Sequence, residues 1–117
     1  MAGELRRSYR QGFREDILAL PSRQLQKAAL QIVMDVAKGR RRGRPLESHV
    51  ATGDLSDCRK VYFDEVGSNR FRFRLVYRLL PDEVQAVEVE AVAVGMREAL
   101  AAYVAAASRL GRMSDPG

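Results

Sequence analysis

The spacing of apolar residues changes from helical to alternating near residue 54 and back near residue 96. This switch limits the fold more than any motif does. Phe13, Ile17 and Leu20, then Leu25, Ala29, Ile32, Val33 and Val36, recur three and four apart, as on one face of a helix. Val61 and Phe63, then Phe71, Phe73, Leu75, Tyr77 and Leu79, sit two apart, as on one face of a strand. Leu100, Tyr103, Val104 and Ala107 return to helical spacing. Helices before and after a run of strands predict an α+β domain with helices packed on a mostly antiparallel, curved sheet.

Turn and cap residues set the boundaries. Pro21 disfavours helix at Leu20, Ser22 suits an N-cap and Gly39 suits a C-cap, so 11–38 reads as two helices. Leu5 to Tyr9 reads as a short edge strand. Gly39, Gly43, Pro45 and Gly53 mark 39–54 as a loop that carries Arg40, Arg41, Arg42 and Arg44. Such a loop is either a solvated connector or a segment that holds phosphates. Turn chemistry in 64–70 and at Leu80-Pro81-Asp82-Glu83 separates strands over 55–64, 70–79 and 84–94. In the last of these Val87, Val89, Ala91 and Ala93 share a face, with Glu88 and Glu90 opposite. An alanine-rich helix follows over 97–110. The expected order is (β)ααβββα in a single domain, 1–117, with two N-terminal helices on the sheet, a C-terminal helix, and loose ends at about 1–4 and 111–117.

Composition narrows the function. With 46% hydrophobic and 30% charged residues the chain is not wholesale disordered. No apolar run approaches the ~18 residues of a membrane span. MAGELRRSYR lacks the apolar stretch of a secretory signal, so a cytoplasmic protein with no membrane partner is expected. Cys58 is the one cysteine and reads as a small packed residue; His49 is the one histidine and reads as a solvated loop residue. They leave little for a zinc site, a histidine-pair nuclease or a Ser–His–Asp triad, and no metal or cofactor is expected. The net charge is +5, mostly from arginine, and the first sixty residues carry thirteen basic against seven acidic side chains. An anionic partner is implied, nucleic acid first.

Arg70, Arg72, Arg74 and Arg78 share one face of the 70–79 strand, and four arginines cannot all enter a core. Lys60 and Tyr62 hold the matching positions of the strand before. Cations mixed with an aromatic suit RNA, because cations hold phosphates and rings stack on unpaired bases. The other reading is an ordinary surface in which the arginines pair across strands with Glu88 and Glu90.

Cys58-Arg59-Lys60, Phe73-Arg74-Leu75-Val76-Tyr77, Val94-Gly95-Met96-Arg97-Glu98, and Tyr103 followed by Arg109-Leu110 appear in that order. Together they resemble the RelE/ParE superfamily of bacterial toxins, and its RelE-like mRNA interferase branch in particular. The phrase from Phe13 to Pro21 extends the resemblance into the helical half. The resemblance implies the toxin of a type II toxin–antitoxin pair, encoded by a bacterium or phage. Such a toxin is a metal-independent endoribonuclease that cuts mRNA in the ribosomal A site by attack of a 2′-hydroxyl on the adjacent phosphate. Its partners would be an antitoxin, the ribosome and mRNA.

By the same resemblance Lys60 matches a lysine of the second strand, and Arg74 an arginine that contacts the scissile phosphate. Arg97 matches an arginine that stabilises the transition state, and Tyr103 a tyrosine that orients or stacks on the substrate. Arg40, Arg41, Arg42 and Arg44, with Tyr62 and Arg72, would grip RNA. One position departs: a second lysine expected two residues after Lys60 is Tyr62 here. That leaves the general base open between Lys60 with a depressed pKa, Tyr62 and a neighbouring group. Tyr103 also sits on the apolar stripe, where packing is an alternative role, and Arg97 opposes the dipole at its helix start. Two other functions share the fold: a ParE-like inhibitor of DNA gyrase, and a catalytically inactive RelE-fold binding protein.

Overall fold

The computed structural model describes residues 3–46 and 54–112. His49 and the outermost residues of the expected loose ends lie outside them.

Two N-terminal helices form where the sequence places them. Helix α1 spans Phe13–Ala19 and buries Phe13 and Ile17. Helix α2 spans Arg23–Ala37, and the Ser22 hydroxyl accepts the Leu25 amide at 3.1 Å as its N-cap. At its end Gly39 adopts φ 74, which costs glycine nothing. The amides of Gly39 and Arg40 donate to the carbonyls of Val36 and Asp35 at 3.1 and 2.8 Å, and the Leu5 amide takes the Ala37 carbonyl at 2.8 Å.

Among the described residues five strands make one sheet: β1 (Arg6–Tyr9), β2 (Arg44–Pro45), β3 (Cys58–Phe63), β4 (Phe73–Leu80) and β5 (Glu88–Met96). Their order across the sheet is β1-β5-β4-β3-β2, with β1 parallel to β5 and the other pairs antiparallel. Two of these features differ from the sequence reading. Arg44 and Pro45, expected within a loop, pair with Lys60 and Arg59. Proline is tolerated there because β2 is the sheet edge, where its missing donor faces no partner strand. The arginine-rich strand starts at Phe73, so Arg70, Phe71 and Arg72 belong to the connection before it.

The sheet has a core on each face. Val61, Phe63, Phe73, Leu75, Tyr77, Val89, Ala91 and Val94 pack with α1 and α2. Cys58, Val76, Val92 and Ala93 pack with helix α3, Ala101–Arg109, and with Leu46 and Leu55. Val92 and Ala93 are sequence neighbours in the same core because β5 is bulged. Val76 pairs with Ala93 and Tyr77 with Ala91, which leaves Val92 without an opposite residue. Ala93 therefore leaves the face it was expected to share with Val89 and Ala91. Just past Ala91, where β1 ends, two side chains take over the backbone groups of β5. Asp16 of α1 accepts the Val94 amide at 3.1 Å, and Arg109 of α3 donates to the Val92 carbonyl at 2.9 Å. Asp16 and Arg109 also bind each other through two hydrogen bonds, of 2.5 and 2.9 Å.

The last helix is shorter than the expected 97–110. Glu98–Leu100 form a 3-10 turn, and Leu100 takes φ 57 before α3 begins. This irregular residue resets the helical phase. Leu100 and Val104 of the expected stripe are exposed, and the buried face is Ala102, Tyr103, Ala106 and Ala107.

Candidate functional site

The strand register gathers five side chains from four elements. Tyr62 of β3 lies opposite Arg74 of β4, and Arg74 lies opposite Gly95 of β5. Lys60 precedes Tyr62 by two residues and so shares its face. Beyond β5 the Arg97 amide donates to the Arg72 carbonyl at 2.7 Å, which anchors Arg97 beside the same patch. The first turn of α3 then brings in Tyr103.

Tyr62 stands at the centre. The Arg97 guanidinium carbon is 4.0 Å from its ring centroid, and that of Arg74 and the Lys60 ammonium are each at 5.2 Å. Arg74 also lies 3.9 Å from the Tyr103 ring centroid. Such cation–ring contacts favour the cations in place. They do not satisfy all the hydrogen-bond donors of Arg74, which is only 5% exposed and whose Nε and Nη1 have no hydrogen-bond partner among the described residues. A buried guanidinium in this state is costly unless an acceptor arrives.

The protonation states follow from this crowding. Burial pushes the Tyr62 phenol up, but hydrogen bonds from Lys60 and Arg74 and the charges of both outweigh it, and the result is about 8. The hydrogen bond to Tyr62 holds the Lys60 ammonium above its usual value, despite burial. A lysine with a depressed pKa is therefore not what the site contains. Burial raises the Tyr103 phenol, partly offset by Arg74 and Lys60. The site thus combines a phenol that ionises readily, an ammonium, two guanidiniums and a second phenol that stays protonated. It can accept a proton, hold an oxyanion and donate a proton.

Two clefts open onto this cluster. One, of about 410 Å³, is lined by Arg70, Phe71, Arg72, Arg74, Met96, Arg97 and Glu98. The other, of about 430 Å³, has Arg41, Arg42, Gly43, Arg44, Lys60, Tyr62, Phe71 and Arg97 in its wall. The basic segment is fixed at Gly43, whose amide donates to the buried Tyr77 hydroxyl at 2.7 Å. A Cβ on Gly43 would meet the Lys60 carbonyl at 2.6 Å, so only glycine allows β2 to approach β3 this closely.

Lys60, Tyr62, Arg74, Arg97 and Tyr103 come together. Arg41, Arg42 and Arg44 line the second cleft with them, although Arg42 is also 3.8 Å from Glu83. Arg40 lines neither cleft; its side chain is exposed and its amide closes α2. Arg72 lines the first cleft but is held by Asp64 at 2.8 and 2.9 Å. Its hydrogen bonds keep the Asp64 carboxyl well below the ordinary carboxylate range, against burial. The arginine face thus divides. Arg78 pairs with Glu90 at 2.8 Å, as an ordinary salt-bridged surface would have it, whereas Arg74 turns to the aromatic rings. Tyr103 packs in the α3 core and supports Arg74 with the same ring. Phe71 was missed as a site residue because alternation assigns it to the core face; the late start of β4 is what exposes it. Among the described residues no group of histidine, cysteine and carboxylate side chains could hold a metal ion, and no helix is long and apolar enough to cross a membrane.

Neither a family model nor a curated relative matches the chain by sequence. Among solved structures it is similar to the E. coli toxin RelE in the free state, in a form with two arginines replaced by alanine. The TM-score is 0.66 at 19% identity, over 92% of this chain and 98% of that one. The chain has the RelE-like fold.

Proposed function

We propose that this protein is the toxin of a type II toxin–antitoxin pair and cleaves mRNA in the ribosomal A site without a metal ion. The observation that carries this reading is Arg74, buried between two tyrosine rings with Nε and Nη1 unpartnered, at the wall of a cationic cleft. A phosphodiester supplies the acceptors that this guanidinium lacks, and arginine binds phosphate oxygens through paired hydrogen bonds. The RelE-like fold supports the same reading.

In the proposed reaction the Tyr62 phenolate removes the proton of a ribose 2′-hydroxyl. The 2′-oxygen then bonds to the adjacent phosphorus, and the bond from phosphorus to the 5′-oxygen breaks. Arg74 and Arg97 hold the phosphate oxygens as charge builds on them. The departing 5′-oxygen takes a proton from the Lys60 ammonium, and Tyr62 passes its own proton back to Lys60. The products are a 2′,3′-cyclic phosphate and a 5′-hydroxyl. Tyr103 fixes Arg74 and the substrate nucleotide. The basic segment at Arg41, Arg42 and Arg44 holds ribosomal or messenger RNA, and an acidic antitoxin covers this face in the cytoplasm of the host cell.

The test adds wild-type and Arg97→Ala protein to ribosomes stalled on a defined mRNA and maps the RNA ends. A-site cuts by the wild type, reduced at least about a hundredfold in the variant, are expected. Intact mRNA with the wild type overturns the reading, and inhibition of gyrase supercoiling in parallel would replace it with the ParE-like one.

A further inference from the structure

Phe71 is 56% exposed and lies in the wall of both clefts, which share Arg97 as their other common residue. Its ring is held out from a rigid frame. On one side the Arg72 amide donates to Asp64 at 3.0 Å, the Arg72 guanidinium binds the same carboxylate, and the Arg72 carbonyl accepts the Arg97 amide at 2.7 Å. On the other side the Ser68 hydroxyl accepts the Arg70 amide at 3.2 Å and donates to the Arg70 carbonyl at 3.0 Å. These bonds hold the backbone on either side of Phe71. Each cleft is within the size range of small-molecule sites, ~300–1,000 Å³.

The surroundings select the occupant. Arg70, Arg72, Arg74 and Arg97 line one cleft with Phe71, and Arg41, Arg42, Arg44 and Lys60 line the other. Arg72 and Arg42 already face Asp64 and Glu83, but an apolar protein partner would have to desolvate the others, Arg74 and Arg97 among them, without compensation. A single-stranded nucleic acid matches both characters, since it is anionic along its backbone and presents a flat apolar face at every base. We propose that Phe71 is a stacking platform that divides the site into two adjacent nucleotide subsites, one per cleft, with the linking phosphate at Arg97 and Arg74. This rests on the RNA reading of the site and adds how the substrate is held. Phe71 takes no part in proton transfer; it sets the position of the strand, so that the phosphate between two consecutive bases, and no other, meets the two arginines.

The chain has no tryptophan, so Phe71→Trp introduces a single indole at this position. The variant is titrated at low salt with a short single-stranded RNA that carries one 2′-deoxy sugar at the cut position, which prevents turnover. Labelled copies of the same RNA report the affinity of wild type, Phe71→Ala and Phe71→Leu by anisotropy. Saturable quenching of the indole is expected, with no quenching by the same sequence in a duplex, whose bases are already stacked. Phe71→Ala and Phe71→Leu are both expected to weaken binding by about tenfold. Both should keep the wild-type melting temperature, since the ring is exposed. If wild type binds the strand but the two truncations bind equally well, or the indole is not quenched, the platform is wrong while the RNA site stands. If wild type binds no RNA, both fall.

Discussion

Tyr62 stands where the family resemblance leads one to expect a lysine, and in the proposed reaction it is the proton acceptor, a role its surroundings favour by lowering the phenol. With its value brought down to about 8, the phenolate fraction grows as pH rises through that point. Cleavage is therefore expected to rise about tenfold per pH unit below 8 and to level off above it. Tyr62→Phe should remove this dependence along with at least about a hundredfold of the rate. A pH–rate profile of A-site cleavage by the two proteins measures both. Arg74 calls for a contrasting outcome. Its buried, unpartnered donors weigh against the fold, so Arg74→Met, similar in length and apolar, is expected to leave stability unchanged or raise it by about 1–2 kcal/mol. Cleavage by the same variant should be lost. Urea unfolding read beside the cleavage assay tests the pair, and a large destabilisation would mean that Arg74 has a structural role instead. The sequence singled out Arg74 through alternation and the resemblance. It could not separate Arg74 from Arg78, because both occupy the same face and only the tertiary packing sets Arg74 between the Tyr62 and Tyr103 rings while Arg78 meets Glu90.

Elements meet at the β5 bulge. The Asp16–Arg109 pair joins α1 to α3 and satisfies the backbone groups of Val92 and Val94, which lie beyond the last β1 pair, Tyr9 with Ala91. Asp16→Ala would strand both the Val94 amide and the Arg109 guanidinium. Both side chains are partly exposed, so the expected loss is about 2 kcal/mol rather than the full cost of a buried pair. Chemical denaturation of the variant is the measurement. Gly43→Ala tests a second junction. The added methyl cannot coexist with the Lys60 carbonyl, so β2 must separate from β3 and carry Arg41, Arg42 and Arg44 out of register with the cleft. Loss of RNA affinity with little change at the catalytic groups is expected, seen as a raised KM with a nearly constant kcat in the cleavage assay. Element types were legible from period and punctuation, down to the Ser22 cap. The bulge and the Leu100 turn were not, since each is a local break in period that only competing tertiary contacts define.

At the scale of the whole molecule the net charge of +5 is less informative than its distribution. Many arginines are consumed in pairs: Arg59 with Glu83, Arg72 with Asp64, Arg78 with Glu90, Arg109 with Asp16, Arg112 with Asp57. Of the others, Arg41, Arg44, Lys60, Arg70, Arg74 and Arg97 line the two clefts, where the proposed function would set them against an anionic strand. Association with single-stranded RNA should weaken as salt rises, with a log–log slope of about −2 if three phosphates are held. A slope near zero in a salt titration would show that the cleft cations do not carry the binding. The sequence by itself determined the α+β class, the order of the elements other than β2, and the basic character, because hydrophobic period, caps and turn residues act over a few neighbours; Arg97 and Tyr103 were singled out by the family resemblance and not by local pattern. Tertiary structure alone decided which arginines are neutralised, that the Lys60 ammonium is raised while the Tyr62 phenol is lowered, and that Phe71 faces the clefts. Those outcomes depend on strand register, the β5 bulge and the placement of α3, which bring together residues separated by tens of positions whose mutual fields and burial no local pattern contains.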